Sequence, residues 1–305
     1  MKKNRIWVVA LALILVGGII GAIGYASGAS TGIRWDKTGL HTLGNRSDTL
    51  EMAESYDIIT SITIDHDIGN VTLEPSFDGS FGYSLTYYST VEPEINYSDG
   101  RLNISVKSRT YNGWGFSSFG FNIGQDYSND LIVYYPEGAE FTSGVIDCGM
   151  GRLKLEGAGF GRLRADASMG QIILNDISSG KTEIYSHMGK VELYNVYAGA
   201  TEITADMGAV DCRDTHLSQR SRITLNMGAL NYRGTFGGGA DIEANMGAVE
   251  IRLDDSLDNY DFDLDCDMGE VRFDGNNKGD DYNERNGTGN LIKIKANMGA
   301  ITVNR

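Results

Sequence analysis

Cysteine, proline and histidine are scarce in this chain of 305 residues, at three, three and four. Cys148, Cys212 and Cys266 are odd in number and lack CxxC spacing, which excludes a disulfide framework or a zinc ribbon. Few prolines beside 40 glycines argue against a disordered low-complexity chain, in which proline usually rises as well. Basic residues are also short, 26 against 41 acidic ones, for a formal charge of −15. That deficit excludes general nucleic-acid binding, which needs clustered Lys and Arg against phosphates. No HExxH, GxSxG or P-loop signature occurs. His41, His66, His187 and His216 fall at unrelated positions, so neither a metal cluster nor a triad is legible, and no catalytic residue or cofactor is expected.

One long hydrophobic run is present. Residues 6–26 follow Lys2, Lys3 and Arg5 and carry no charge, long enough to cross a bilayer as a helix. The expectation is a single-pass transmembrane anchor, with basic residues 1–5 in the cytoplasm and the C-terminal part outside the cell membrane. Small residues at 26–30 leave cleavage as a signal peptide open. Residues 27–56 lack periodicity and read as a linker to an ectodomain over 57–305.

What fills 57–305 is a repeat. Met-Gly pairs end at Gly151, Gly170, Gly189, Gly208, Gly228, Gly247, Gly269 and Gly299, and Ile68-Gly69 takes the same role earlier. Apolar residues stand four and two before Met (Ile203 and Ala205, for example) and two and four after Gly (Val210 and Cys212). This is the period-2 pattern of strands with one buried face, and no 3.6-residue stripe survives it. The fold class expected is all-β: a single-domain parallel β-solenoid of about ten coils of ~19–20 residues.

The alternation slips across each Met-Gly pair. Read as a corner with Met turned inward, the slip needs glycine for its backbone freedom, and the thioether fills the corner. On that reading a charge at Met207 collapses the fold, and soft-metal capture by the methionines is disfavoured. The cysteines are expected to be small buried residues. Cys148 and Cys266, six coils apart in sequence order, would lie ~29 Å from one another, beyond disulfide reach.

Stacking in sequence order puts Arg222, Asp241, Asp263 and Lys293 in one polar column and Thr224, Glu243, Asp265 and Lys295 in another. The acidic strand at 261–267 then has basic neighbours on its far side, as ordinary cross-strand pairs. A calcium stripe along Asp261, Asp263, Asp265 and Asp267 is the weaker alternative. The insertion at 274–290 imitates a calcium loop from Asp274, with Asn276 and Gly279 in place. Lys278 and Arg285 stand where ligands are required, so the signature fails. It reads as a solvated loop shielding the open end of the solenoid, where a terminal strand such as 300–305 otherwise invites edge pairing. A second insertion, 109–127, carries Tyr111, Trp114, Phe116, Phe119, Phe121 and Tyr127 among Gly, Ser and Asn. These rings are the candidates for partner binding, by stacking on sugars or anchoring a protein; the alternative is a cap over the core.

The run "NDLIVYYPEGAEFTSGVIDCGMGRLKLEG" (129–157), a strand ending in Pro136, an acidic-Gly turn, a strand, a glycine corner and another strand, resembles the bacterial β-strand-repeat proteins of domain of unknown function 4097, labelled "putative adhesin". The resemblance covers roughly 57–305. It implies a membrane-anchored solenoid and carries no catalytic residue over, and some members are linked to envelope-stress loci. The Met before nearly every corner glycine departs from the more polar pattern of many relatives. The expected function is structural, adhesive or partner-binding at the cell envelope, non-catalytic, with an envelope glycan or a membrane or surface protein as partner. Alternatives are an envelope-stress sensor binding a neighbouring membrane protein and, further off, a carbohydrate-active β-helix enzyme.

Overall fold

The structure, a computed structural model, describes residues 33–36, 39–42, 49–88, 91–107 and 129–305. The chain divides into two compact units. In the first, β1 (Ile33–Asp36) and β2 (Gly39–Thr42) form an antiparallel ribbon. The apolar run 6–26 and the aromatic loop 109–127 lie outside the described residues. Among the described residues no helix is long and apolar enough to cross a membrane.

The second unit is all-β and solenoid-like, built on one 14-stranded sheet, with a single 3-10 turn at Leu257–Asn259 and no α-helix among the described residues. Its centre is β10 (Ala139–Leu217), 79 residues of continuous extended backbone that winds through the 19-residue repeat. Next come β11 (Ser221–Phe236) and β12 (Ala240–Leu253), each parallel to its predecessor and in register, apart from a one-residue shift on β10 between Cys212 and Thr215. Ile203 faces Ile223, Met207 faces Met227 and Gly208 faces Gly228. In-register parallel pairing is why equivalent positions carry equivalent residues. Ile146, Leu153, Ala165, Ile172, Ile184, Val191, Ile203 and Val210 are all fully buried in one column-built core.

Both ends depart from sequence order. On one side β10 pairs with β4 (Ser61–Ile68) and β5 (Val71–Pro75). Those pair in turn with β8 (Arg101–Lys107) and β9 (Asp130–Tyr135). The chain therefore lays one coil, passes to its far side, and returns across it to begin β10. Antiparallel partners finish that side: β6 (Phe81–Tyr88) on β9, β7 (Glu92–Ser98) on β8, and β3 (Thr49–Tyr56) on β6.

At the other side β12 does not pair with β13 (Asp261–Phe273), the next repeat. It pairs with β16 (Leu291–Asn304), which lies between β12 and β13. The segment 300–305, expected at an exposed edge, is thus inside the stack. β14 (Asn276–Gly279) and β15 (Asp281–Glu284), both in the 274–290 insertion, cover β13 as antiparallel strands. They occupy the edge that would otherwise offer unpaired N–H and C=O groups.

This order corrects the charge columns. Lys293 lies between Asp241 and Asp263, and Lys295 between Glu243 and Asp265. Each lysine therefore has an acidic position in register on both sides, where sequence order gave it one. It also puts Cys266 seven levels from Cys148 instead of six, since the β16 level intervenes.

The corner needs glycine for a reason beyond torsion. Gly208 has φ of +143°, and a β-carbon there would stand 1.6 Å from the carbonyl oxygen of Gly189. The same close approach recurs from each corner glycine to the next, through Gly69, Gly151, Gly170, Gly189, Gly208, Gly228, Gly247, Gly299 and Gly269. Only hydrogen fits between the coils there.

Candidate functional site

The methionines overturn the expectation of an inward thioether. Met150, Met169, Met188, Met207, Met227, Met246 and Met298 are 39–44% exposed, and Met268 is 64% exposed. Along one coil Ala205 and Val210 are buried, and Asp206 through Ala209 are not. The parity change therefore falls between Ala205 and Val210, with Met on the outer side of the corner. Apolar character was the misleading signal. The informative one was that the five-residue step from Ala205 to Val210 already accounts for the slip.

Beside the methionine column runs a ladder of side-chain hydrogen bonds. Asp206 is 2.8 Å from Nδ1 of His187 and accepts from Nδ2 of Asn226 at 2.6 Å. Asn245 donates to Asn226 and Asn297 donates to Asn245, each at 2.9 Å. The ladder crosses directly from β12 to β16, in agreement with the strand order. The hydrogen bond to Asp206 raises the His187 pKa, and the same bond is the main cause of the lowered Asp206 pKa.

A second surface lies along the looser turn opposite. Tyr197, exposed, stacks on His216 with ring centroids 4.9 Å apart. His216 Nδ1 lies 3.1 Å from Thr235 Oγ1, which fixes the imidazole. These residues line an open groove of about 460 Å³ with Ser179, Ser218 and Gln219. Tyr197 also borders a neighbouring hollow of about 320 Å³ lined by Glu137, Glu140, Asp176 and Asn195. The groove follows from small residues at the turn: a β-carbon on Gly199 would meet the Gly180 carbonyl oxygen at 2.1 Å, and one on Gly180 the Gly161 oxygen at 2.7 Å. An exposed aromatic ring beside small residues can take a flat ligand such as a sugar face. Nothing in the Met-Gly repeat pointed to this groove, because Tyr197 and His216 sit on different coils at positions that vary.

The acidic strand is engaged by its own surroundings. Asp261 is buried and accepts from the backbone N–H groups of Asn286, Gly287 and Gly289 at 2.6, 2.9 and 3.2 Å. Burial opposes its charge, but these three donors prevail and hold its carboxyl below the usual range. Asp263 is 3.6 Å from Lys293, and Asp265 and Asp267 are exposed. In the insertion, Lys278 lies over the ring of Tyr282 at 4.8 Å. Among the described residues no group of three or more His, Cys, Asp or Glu side chains could hold a metal ion.

Among the described residues, His66 and the three cysteines are buried groups of a kind that could do chemistry. His66 takes an inward slot, 2.6 Å from the carbonyl oxygen of Asn129 through Nε2, while Nδ1 has no partner. Burial lowers its pKa, so the ring is neutral, with Nε2–H as donor. All three cysteines are free and buried. Burial raises their pKa values, to about 11 for Cys148, which makes them poor nucleophiles. The candidate rings Tyr111, Trp114, Phe116, Phe119, Phe121 and Tyr127 lie outside the described residues.

Stacked in-register coils, outward faces and an open groove define a solenoid-like repeat protein whose accessible chemistry is on its surface. The chain belongs to the family described as Toastrack DUF4097, which matches residues 59–304. No curated protein matches it. Among solved structures it is similar to a "putative adhesin" from Bacteroides fragilis, at 12% identity over 84% of this chain and 96% of that one, with a TM-score of 0.40. A "putative adhesin" from Parabacteroides merdae has 9% identity, 85% and 98% coverage and a TM-score of 0.40. A "putative lipid binding protein" from Parabacteroides distasonis has 13% identity, 85% and 98% coverage and a TM-score of 0.39.

Proposed function

We propose that this chain is a non-catalytic binding protein of the cell envelope. Residues 6–26 anchor it in the membrane as a helix, residues 1–5 stay in the cytoplasm, and the coils built from 57–305 form a parallel β-solenoid outside. Its partner is an envelope glycan, met by exposed rings in face-on contact. The observation that carries this reading is the stacked Tyr197–His216 pair, which lines an open groove of mostly small glycine, alanine, serine and threonine positions. An open groove bathes a ligand in water, which suits recognition better than bond cleavage in a closed site. The length and charge pattern of the first 26 residues support the anchor.

Co-sedimentation of the full chain with insoluble cell-wall polysaccharide tests the reading. Binding should weaken about tenfold in Tyr197→Ala, or in a variant with Trp114 and Phe116 replaced by Ser, a change of ~1.4 kcal/mol. No sedimentation of the native chain, or binding indifferent to both variants, would sink the glycan assignment. Release of soluble sugar would overturn the non-catalytic one. The anchor is tested by alkaline extraction of membranes, in which the chain should stay with the bilayer.

A further inference from the structure

The methionine column holds a chemical resource that burial does not explain. Eight copies of the repeat differ in every neighbouring side-chain column. Four before Met stands Ile, Ala or Leu; two before, Cys, Ala, Ser or Leu; immediately before, Gly, Ser, His, Asp or Asn. The glycine is constant because two backbones meet there. The methionine is constant where water reaches it. A β-branched residue suits an exposed strand position better, and Ile68 occupies this slot on the earlier coil. What Met has and Ile or Leu lacks is a soft, polarisable sulfur.

Stacking sets those methionines in a row. Met207 faces Met227, Met227 faces Met246, Met246 faces Met298 and Met298 faces Met268. Successive coils lie ~4.8 Å apart, near the ~4.6 Å spanned by two metal–sulfur bonds of ~2.3 Å placed end to end. Thioethers select soft ions, Cu(I) among biological metals. They are neutral, so a monovalent ion brings little charge into the site, and the chain's excess of acids attracts cations. Asp206, in the adjoining column, is committed to His187 and Asn226, so it contributes field and not a ligand.

We propose that the methionine column is a binding site for a soft monovalent metal ion of the Cu(I) class, held between the thioethers of successive coils. Silver(I), which is stable in air, is the probe. The full chain, incubated with silver nitrate and desalted, should retain several silver ions by atomic emission. Retention should be nearly constant between about pH 5 and 8, because thioethers do not titrate there as His would. Replacing Met188, Met207, Met227 and Met246 by Leu keeps the apolar volume and should weaken silver binding at least about tenfold at those levels. Methyl resonances of these methionines in the native chain should shift on silver addition, a readout that does not depend on the variant folding. No silver retained, methyl signals that do not move, or equal retention by the Leu variant would each overturn the site. In the last case a cysteine or His187 would be the ligand.

Discussion

A β-carbon on Gly208 would stand 1.6 Å from the carbonyl oxygen of Gly189, one coil away. Gly208→Ala therefore has no relaxed solution and should cost ~3 kcal/mol or more. Gly79, with φ of +73° but nothing within 4 Å of its would-be β-carbon, is the control. Gly79→Ala should cost only ~1 kcal/mol, from torsion alone. Thermal melting of the two variants distinguishes a spatial from a torsional requirement, and equal shifts would contradict the close approach.

Met207 and Val210 are both apolar and three residues apart, yet only Val210 is buried. Met207→Asp should change stability by less than ~1 kcal/mol. Val210→Asp buries a carboxylate without a partner and should leave no folded protein at 37 °C. Collapse in both would restore the inward thioether.

Lys293 has an acid on either side, Asp241 through β12 and Asp263 through β13. Lys293→Glu would place three acids in a row and should destabilise by ~1 kcal/mol. Asp263→Lys added to that variant should recover part of the loss. Additive losses in a double-mutant cycle would show that the column carries no pairing energy.

Asp261 ties the 286–289 backbone to β13 through three accepted hydrogen bonds. Its pKa is lower in the folded state, so its contribution is complete above the unfolded carboxylate value of ~3.9 and is lost as pH falls through the lower folded value. Amide exchange at Asn286, Gly287 and Gly289 should accelerate, relative to core amides, below about pH 4. Asp261→Asn should show the faster exchange already at neutral pH.

Much of the core was legible in the sequence. Ile203, Ala205, Val210 and Cys212 alternate as one buried face demands, and the constant glycine marked the corner. The sense of Met207 was not, because thioether and aliphatic side chains read alike in a hydrophobic pattern and only the parity count separates them. The order of the last two repeats was hidden for a related reason. Residues 261–273 and 291–304 carry the same alternation, so either could follow β12. The clue was electrostatic: Lys293 and Lys295 pair better between two acidic rows than beside one. Tyr197 and His216 meet only because 19 residues separate them on adjacent coils, and neither belongs to the repeated motif. The rings at 111–127 remain a reading of sequence alone.

The placement of β16 between β12 and β13 bears on how the protein comes apart. Pairs within β10 close over one repeat, whereas Ile251 of β12 meets Val303 across more than fifty residues. Closing that long loop carries a larger entropic cost, so the pair belongs to the late steps of folding. Once seated, β16 cannot leave without exposing two strand edges, and β13 cannot leave without uncovering β16. Coils at this end therefore cannot peel away singly in chain order, and β12, β16 and β13 should unfold as one cooperative block.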